Sequence, residues 1–158
     1  MSYGIYCPRK SQLRYIFFKH EYLRKAGKKF YSEIWDKKNF EEISNILQND
    51  FSFRGSLNQE GCGHEEFKVY INYVHSALSS YKCIIKDLVV QNEKVFAKMI
   101  FTGVHDSDFM GYPPTGKQIS WSGAALFIFS GQKVSSLWVL GDLKKLEEEL
   151  DGKTKPIT

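Results

Sequence analysis

Few residue types in this chain carry reactive groups at a spacing that suggests chemistry. His105, Asp106 and Asp108 fall within four positions, where an alternating apolar run (94–105) meets a loop rich in glycine and proline. A histidine there titrates near neutral pH and suits a general base. The same ring equally suits a hydrogen bond that anchors the loop. With its two carboxylates it could in principle hold a cation, but H-D-S-D matches no established ligand spacing, so no metal is expected. Asp142 is the second candidate. It directly precedes LKKLEEEL and reads either as the N-cap of a short helix or as a pocket carboxylate. His64, Glu65 and Glu66 open an amphipathic run and read as a helix start, with the acids at the positive end of the dipole. GxxxxGK is absent, so the glycines suggest no phosphate cradle, and no cofactor is expected. Cys7, Cys62 and Cys83 are an odd number without metal spacing; free thiols of a reducing compartment, and so a cytoplasmic protein, are the expectation.

The elements that must position these groups follow from periodicity. Residues 11–36 read as helix, with Leu13, Phe17, His20, Leu23 (or Arg24), Phe30, Ile34 and Trp35 recurring at spacings of three, four and seven. Gly27 weakens that helix by about 1 kcal/mol relative to Ala and marks a point for a break or kink. A second helix, FEEISNILQ, is expected after an Asn39 cap with Glu42 completing the box. FSFRGSL (51–57) alternates as a short strand, and Cys62 with its two glycines reads as loop. A helix over about 64–79 places Phe67, Tyr70, Ile71, Val74 and Leu78 on one side. Four long antiparallel strands follow: YKCIIKDLVVQ, KVFAKMIFTGVH, QISWSGAALFIF and KVSSLWVL. Asn92-Glu93 and Ser130-Gly131 read as their tight turns. Helices ahead of a strongly curved meander predict an α+β layer, the sheet folded around the helices with an apolar hollow between them.

At 158 residues, 42% apolar and 15% aromatic, the chain is long enough for one domain with a substantial core. No run approaches a membrane span, and Arg9, Lys10, Arg14 and Lys19 break up any secretory pattern. Residues 1–30 hold eight Lys/Arg against Glu21 alone, a net of +7, while the remainder is net −3. A basic segment of that kind suits phosphate, an anionic membrane surface or an acidic partner, or is simply a solvated helix face. Stacking motifs and helix-turn-helix cues are missing, and no nucleic-acid partner is expected.

One stretch carries a family resemblance. H-x-x-x-F-x-G-x-P-P-T-G (His105 to Gly116), then W-x-G-A-A-x-F-x-F and W-x-x-x-D-x-x-x-L, resembles the SnoaL-like polyketide cyclases. The resemblance covers roughly 28–150. It implies the nuclear-transport-factor-2-like (NTF2-like, cystatin-like) α+β cone, in which long N-terminal helices pack on a strongly curved, mostly antiparallel sheet. It divides the chain into a basic, partly helical extension (1–27), the domain (28–150) and a tail (151–158). Ring closure of polyketide-type esters by an intramolecular aldol reaction, without metal, is the implied activity. Carried over by position, the acid/base aspartate of the antibiotic cyclases falls on Val139, its partner histidine on Ala125, and an asparagine of the first core strand near Phe53.

Two functions from different classes are compatible with these residues. One is an acid–base enzyme, of the cyclase or isomerase type, acting on a small hydrophobic carbonyl compound, with His105 and Asp142 as its catalytic groups. The other is a non-catalytic scaffold that binds a small hydrophobic ligand or dimerises. For either, Phe53, Met99, Phe101, Trp121, Ala125, Trp138 and Val139 are the expected ligand-contacting wall. A homodimer through the open sheet face is the expectation by analogy.

Overall fold

The computed structural model of the protein describes residues 10–152; the first nine residues of the expected basic extension and most of the expected tail lie outside them. Helix α1 (Lys10–Lys29) runs unbroken through Gly27. A single glycine is tolerated because Leu23 and Phe30, on either side of it, are both fully buried. The departure from regular α-helix comes later, in a π-helical stretch over Phe30–Asp36. That widened turn seats Phe30, Tyr31, Ile34 and Trp35 together in the core.

A 3-10 turn (Phe40–Glu42) and the short α2 (Ile43–Ile46) follow. The predicted helix stops early because Leu47 already belongs to strand β1 (Leu47–Arg54) and pairs with Val134. Asn39 makes no side-chain cap; its amide reaches Glu33 instead, at 3.5 Å. The stretch predicted as a loop around Cys62 contains strand β2 (Glu60–Cys62), antiparallel to β1. Helix α3 (Gly63–Ala77) then lays Phe67, Tyr70, Ile71, Val74 and Ala77 on the sheet. Glu66 reaches back to accept the Cys62 N–H at 2.9 Å, so this acidic cluster starts the helix.

Strands β3 (Leu78–Gln91), β4 (Lys94–His105), β5 (Gln118–Ser130) and β6 (Lys133–Gly141) form the predicted meander. Its last turn is Gly131-Gln132, one residue beyond the expected pair, because Ser130 and Lys133 are cross-strand partners and Gly131 has φ +62°. The sheet order is β2-β1-β6-β5-β4-β3, antiparallel except where β1 lies parallel to β6. Two register shifts in β3, between Ser79 and Lys82 and between Ile85 and Asp87, bend the sheet. A strand's side chains alternate strictly, so each extra residue also resets which side points inward. Leu78, Tyr81, Cys83 and Leu88 all reach the core for that reason. The result is an α+β cone: a curved, mostly antiparallel sheet wrapped around the π-helical stretch and α3. Helix α4 (Leu143–Leu150) closes it, with Leu146 and Leu150 buried.

Gly123 marks the tightest internal approach in the meander. A Cβ there would lie 2.5 Å from the Phe101 ring and 2.6 Å from the Leu140 carbonyl oxygen. The ring can shift but the backbone oxygen cannot. Gly123→Ala is expected to destabilise the protein by about 2 kcal/mol, the range of an overpacked core. In a domain of this size that lowers the thermal midpoint by roughly 4–8 °C, and an unchanged midpoint would show that the strand pair yields freely.

Candidate functional site

The hollow of the cone is nearly filled. A residual cavity of about 20 Å³ remains at its centre, room for a single water. Tyr31 and Trp35 from the π-helical stretch, Tyr81 and Cys83 from β3, Phe101 from β4, and Leu137 and Val139 from β6 surround it, with Ser56 and Tyr70 at one end. A larger cleft of about 400 Å³ lies outside, between α3 and the β1–β2 pair, with Phe53, Gln59, Glu60, Glu66 and Tyr73 among its walls. Tyr70 lines both spaces and is the partition between them.

Two glycines make that partition fit. Tyr70 lies flush on Gly55, where a Cβ would sit 2.3 Å from the ring. Gly61 admits Phe53 in the same way, at 2.7 Å. Phe53 and Tyr70 stack at 5.8 Å and 23°. The Tyr70 hydroxyl accepts the Leu57 N–H at 3.4 Å and lies 3.5 Å from Ser56 Oγ. It thereby holds the loop that follows β1, where Asn58 adopts φ +63°.

The residues around the inner cavity are uncharged, and the surface they turn to it is almost wholly apolar. Burial pushes the Tyr31 and Tyr81 hydroxyls well above the usual phenol value and the Cys83 thiol well above that of a free thiol. Tyr70 is raised by burial too, against the opposing hydrogen bond to Ser56. All four groups therefore keep their protons at neutral pH. The Tyr31 hydroxyl and the Trp121 Nε1–H are buried with no partner. Donors of this kind can serve a carbonyl oxygen, and the residues lining the cavity include no carboxylate or imidazole that could act as a base.

The two predicted catalytic groups do not meet. His105 is fully buried, with Nδ1 3.3 Å from the Thr115 hydroxyl. That oxygen also accepts the Lys117 N–H at 3.3 Å, while Gly116 N–H donates to the His105 carbonyl at 2.9 Å. These are the contacts of a loop anchor, and Nε2 is left without a partner. Asp142 Oδ1 accepts the Lys145 N–H at 3.0 Å and caps α4. Its own N–H bonds Ser122 O, whereas the His105 N–H bonds Lys117 O. Five residues of strand, roughly 17 Å, separate those two points. Asp106 is engaged by Ser79 Oγ. Among the described residues no three His, Cys, Asp or Glu side chains gather as a metal site.

The predicted wall divides four ways. Phe101 and Val139 line the inner cavity, and Phe53 lines the outer cleft. Met99, Trp121 and Ala125 are buried in the core around them. Trp138 is a correction: it is 41% exposed on the opposite face of β6 from Leu137 and Val139, where Arg54 covers its ring at 5.7 Å. Alternation along the strand requires this once Val139 points inward. Tyr31, Tyr70, Tyr81 and Cys83 were not picked out as site residues. Their sequence signal was the alternation of Tyr81 and Cys83 and the place of Tyr70 on an apolar helix face.

His75 sits behind the cavity, stacked on Trp35 at 6.4 Å and edge-on to Tyr81 at 5.4 Å. Burial lowers its pKa below the ordinary 6.5, opposed by its 2.8 Å hydrogen bond to Trp35 O. A base with a lowered folded-state value is protonated first in the unfolded chain, so stability falls as pH drops below about 6.5. Glu33, Glu42 and Glu93, lowered by lysine partners, begin to act only nearer their ordinary 4.5. Melting curves between those values should therefore show a pH-dependent loss that His75→Gln reduces. An identical slope in the variant would remove His75 as its source.

The family model described as SnoaL-like polyketide cyclase matches residues 26–150. No curated protein matches at a significant level. Among solved structures, a protein assigned as a SnoaL-like polyketide cyclase from Jannaschia sp. CCS1 superposes with a TM-score of 0.77 at 16% identity, covering 85% of this chain and 95% of its own. One assigned as a polyketide cyclase from Acidithiobacillus ferrooxidans gives 0.74 at 21%, covering 84% and 96%. TsrD from Streptomyces laurentii gives 0.72 at 19%, covering 82% and 95%. At these identities the likeness is one of fold, the NTF2-like cone.

Proposed function

The chain belongs to the SnoaL-like polyketide cyclase family, and from that premise we propose that it binds a small hydrophobic carbonyl compound, of polyketide or ester type, without the aspartate chemistry of the antibiotic cyclases. The observation that carries this reading is the uncharged cavity, with Tyr31, Tyr70 and Tyr81 among its lining residues. Val139, on which the cyclase aspartate would fall, lines it as an apolar residue. Ala125 and Phe53, at the other two carried-over positions, are buried and equally apolar. A ligand enters by the outer cleft, displaces the Tyr70 ring from Gly55, and places its carbonyl oxygen against the protonated Tyr31 and Tyr81 hydroxyls. Such donors stabilise a carbonyl strongly because water is excluded. A buried hydroxyl left unpaired costs about 1–3 kcal/mol, which a ligand that supplies the missing acceptor recovers.

A matched pair of probes tests this. 2-Acetylnaphthalene and 2-ethylnaphthalene have nearly the same shape, but only the ketone accepts a hydrogen bond. The ketone should bind about tenfold more tightly, one hydrogen bond's worth of free energy. That preference should collapse in Tyr31→Phe with Tyr81→Phe, while affinity for the hydrocarbon stays unchanged. Equal binding of both probes by the native protein would sink the reading.

A second observation favours a homodimer. Val89, Phe96, Leu126 and Trp138 are successive cross-strand neighbours over β3, β4, β5 and β6. They form an apolar row on the outer sheet face, of which Val89, Phe96 and Trp138 are 56%, 44% and 41% exposed. We propose that a second copy covers this row, as exposed apolar patches of this kind tend to mark interfaces. Light scattering should give a dimer for the native chain and a monomer for Phe96→Glu with Trp138→Glu. A monomeric native chain would overturn it.

A further inference from the structure

The first turns of α1 are the part of the surface least explained by the domain's own packing. Residues 11–18 are all exposed. Tyr15, Phe17 and Phe18 stand 68%, 63% and 62% exposed, and Leu13 and Ile16 52% and 44%. Toward the body, Tyr15 and Phe18 line a shallow cleft of about 480 Å³ with Glu93, Gly131 and Gln132, Lys19 pairs with Glu93, and the Tyr22 hydroxyl donates to Gln132 O at 2.9 Å. Leu23 is the first buried residue. About 12 Å of helix therefore keeps its apolar side chains largely exposed, with Leu13, Ile16 and Phe17 outside the cleft that Tyr15 and Phe18 wall.

Their arrangement narrows the occupant. Tyr15, Ile16, Phe17 and Phe18 are consecutive, so at 3.6 residues per turn they point to every side of the helix. A groove in a folded partner covers one face. A lipid interface accepts apolar groups from several directions and lets basic neighbours extend to the headgroups. The charge agrees. Lys10, Arg14, Lys19, Arg24, Lys25, Lys28 and Lys29 face only Glu21 within α1, and its first turn holds no acid. Among the described residues Arg14, Lys25 and Lys28 join no salt bridge, while Lys19, Arg24 and Lys29 do. A second copy of α1 would set this charge against itself.

We propose that the projecting half of α1 seats the protein on an anionic phospholipid surface. Leu13, Ile16, Phe17 and Phe18 enter the upper acyl region, and Arg14 and the neighbouring lysines meet headgroup phosphates. An apolar ligand would reach the cone from the same phase in which it dissolves, although the surface contact does not depend on the cavity being used.

The test is co-sedimentation of the full chain with phosphatidylcholine vesicles, pure or carrying roughly a third phosphatidylserine. Partitioning should be at least about tenfold stronger into the anionic vesicles and should weaken as salt shortens the Debye length. Phe17→Ser with Phe18→Ser should lower it by about tenfold or more with an unchanged thermal midpoint, since both rings are exposed. Arg14→Glu with Lys25→Glu should lower binding to anionic vesicles alone. Failure to bind anionic vesicles overturns the proposal. So does full binding by the double serine variant, which would leave only diffuse charge attraction. Self-association that the serine variant abolishes, without vesicle binding, would assign the helix to a second copy instead.

Discussion

The structure depends on a set of aromatic contacts packed inside a curved sheet. Phe67 of α3 lies at their centre, with Phe30, Trp35, Phe51 and Phe53 at centroid distances of 5.8, 6.0, 5.2 and 5.0 Å. Phe30 continues the set to Phe127 at 5.1 Å, and Trp35 continues it to Tyr70 and Tyr81 at 5.5 and 5.7 Å. Each well-oriented pair contributes about 0.5–1.5 kcal/mol beyond the area it buries. These rings join the π-helical stretch, α3 and β1 to the sheet, so none of those elements keeps its place alone. The widened turn at Phe30–Asp36 belongs to the same constraint, because it brings four large side chains to bear over seven residues.

That packing also sets the chemistry. Rings that fill the cone leave about 20 Å³ free, and the residues around that space are apolar or carry a neutral hydroxyl or thiol. An ionised carboxylate at the Val139 position would be buried among neutral groups without a cationic partner, at a penalty of several kcal/mol unless it stayed protonated. The apolar residues at Val139, Ala125 and Phe53 fit the aromatic core around them. The proposed function accordingly rests on neutral donors and on the Tyr70 ring, seated on Gly55.

The legibility of the site followed the range of the interactions involved. Asp142 is a cap because its partner, the Lys145 N–H, lies three residues on, and a cap of that kind is written locally. His105 is open between two roles on the sequence, and its nearest polar partner, the Thr115 hydroxyl, lies ten residues away. Trp138 and Val139 cannot both face the cone, but only the parity of β6 against β1 and β5 says which one does. Tyr31, Tyr70 and Tyr81 come from a π-helical stretch, a helix and a strand, and nothing in the linear chain announces that they line one cavity.

By itself the sequence determined the meander, with β4 at its predicted bounds, the α3 face, the α4 cap and the family, because alternation, helical spacing and turn chemistry act over a few residues. It also determined the basic and aromatic character of α1. Tertiary structure decided what those elements enclose. The two bulges in β3 reset its inward face, the parallel pairing of β1 with β6 closed the cone, and the docking of α1 left its first turns largely exposed. Each of these rests on partners tens of residues apart, whose meeting depends on how the whole sheet curves.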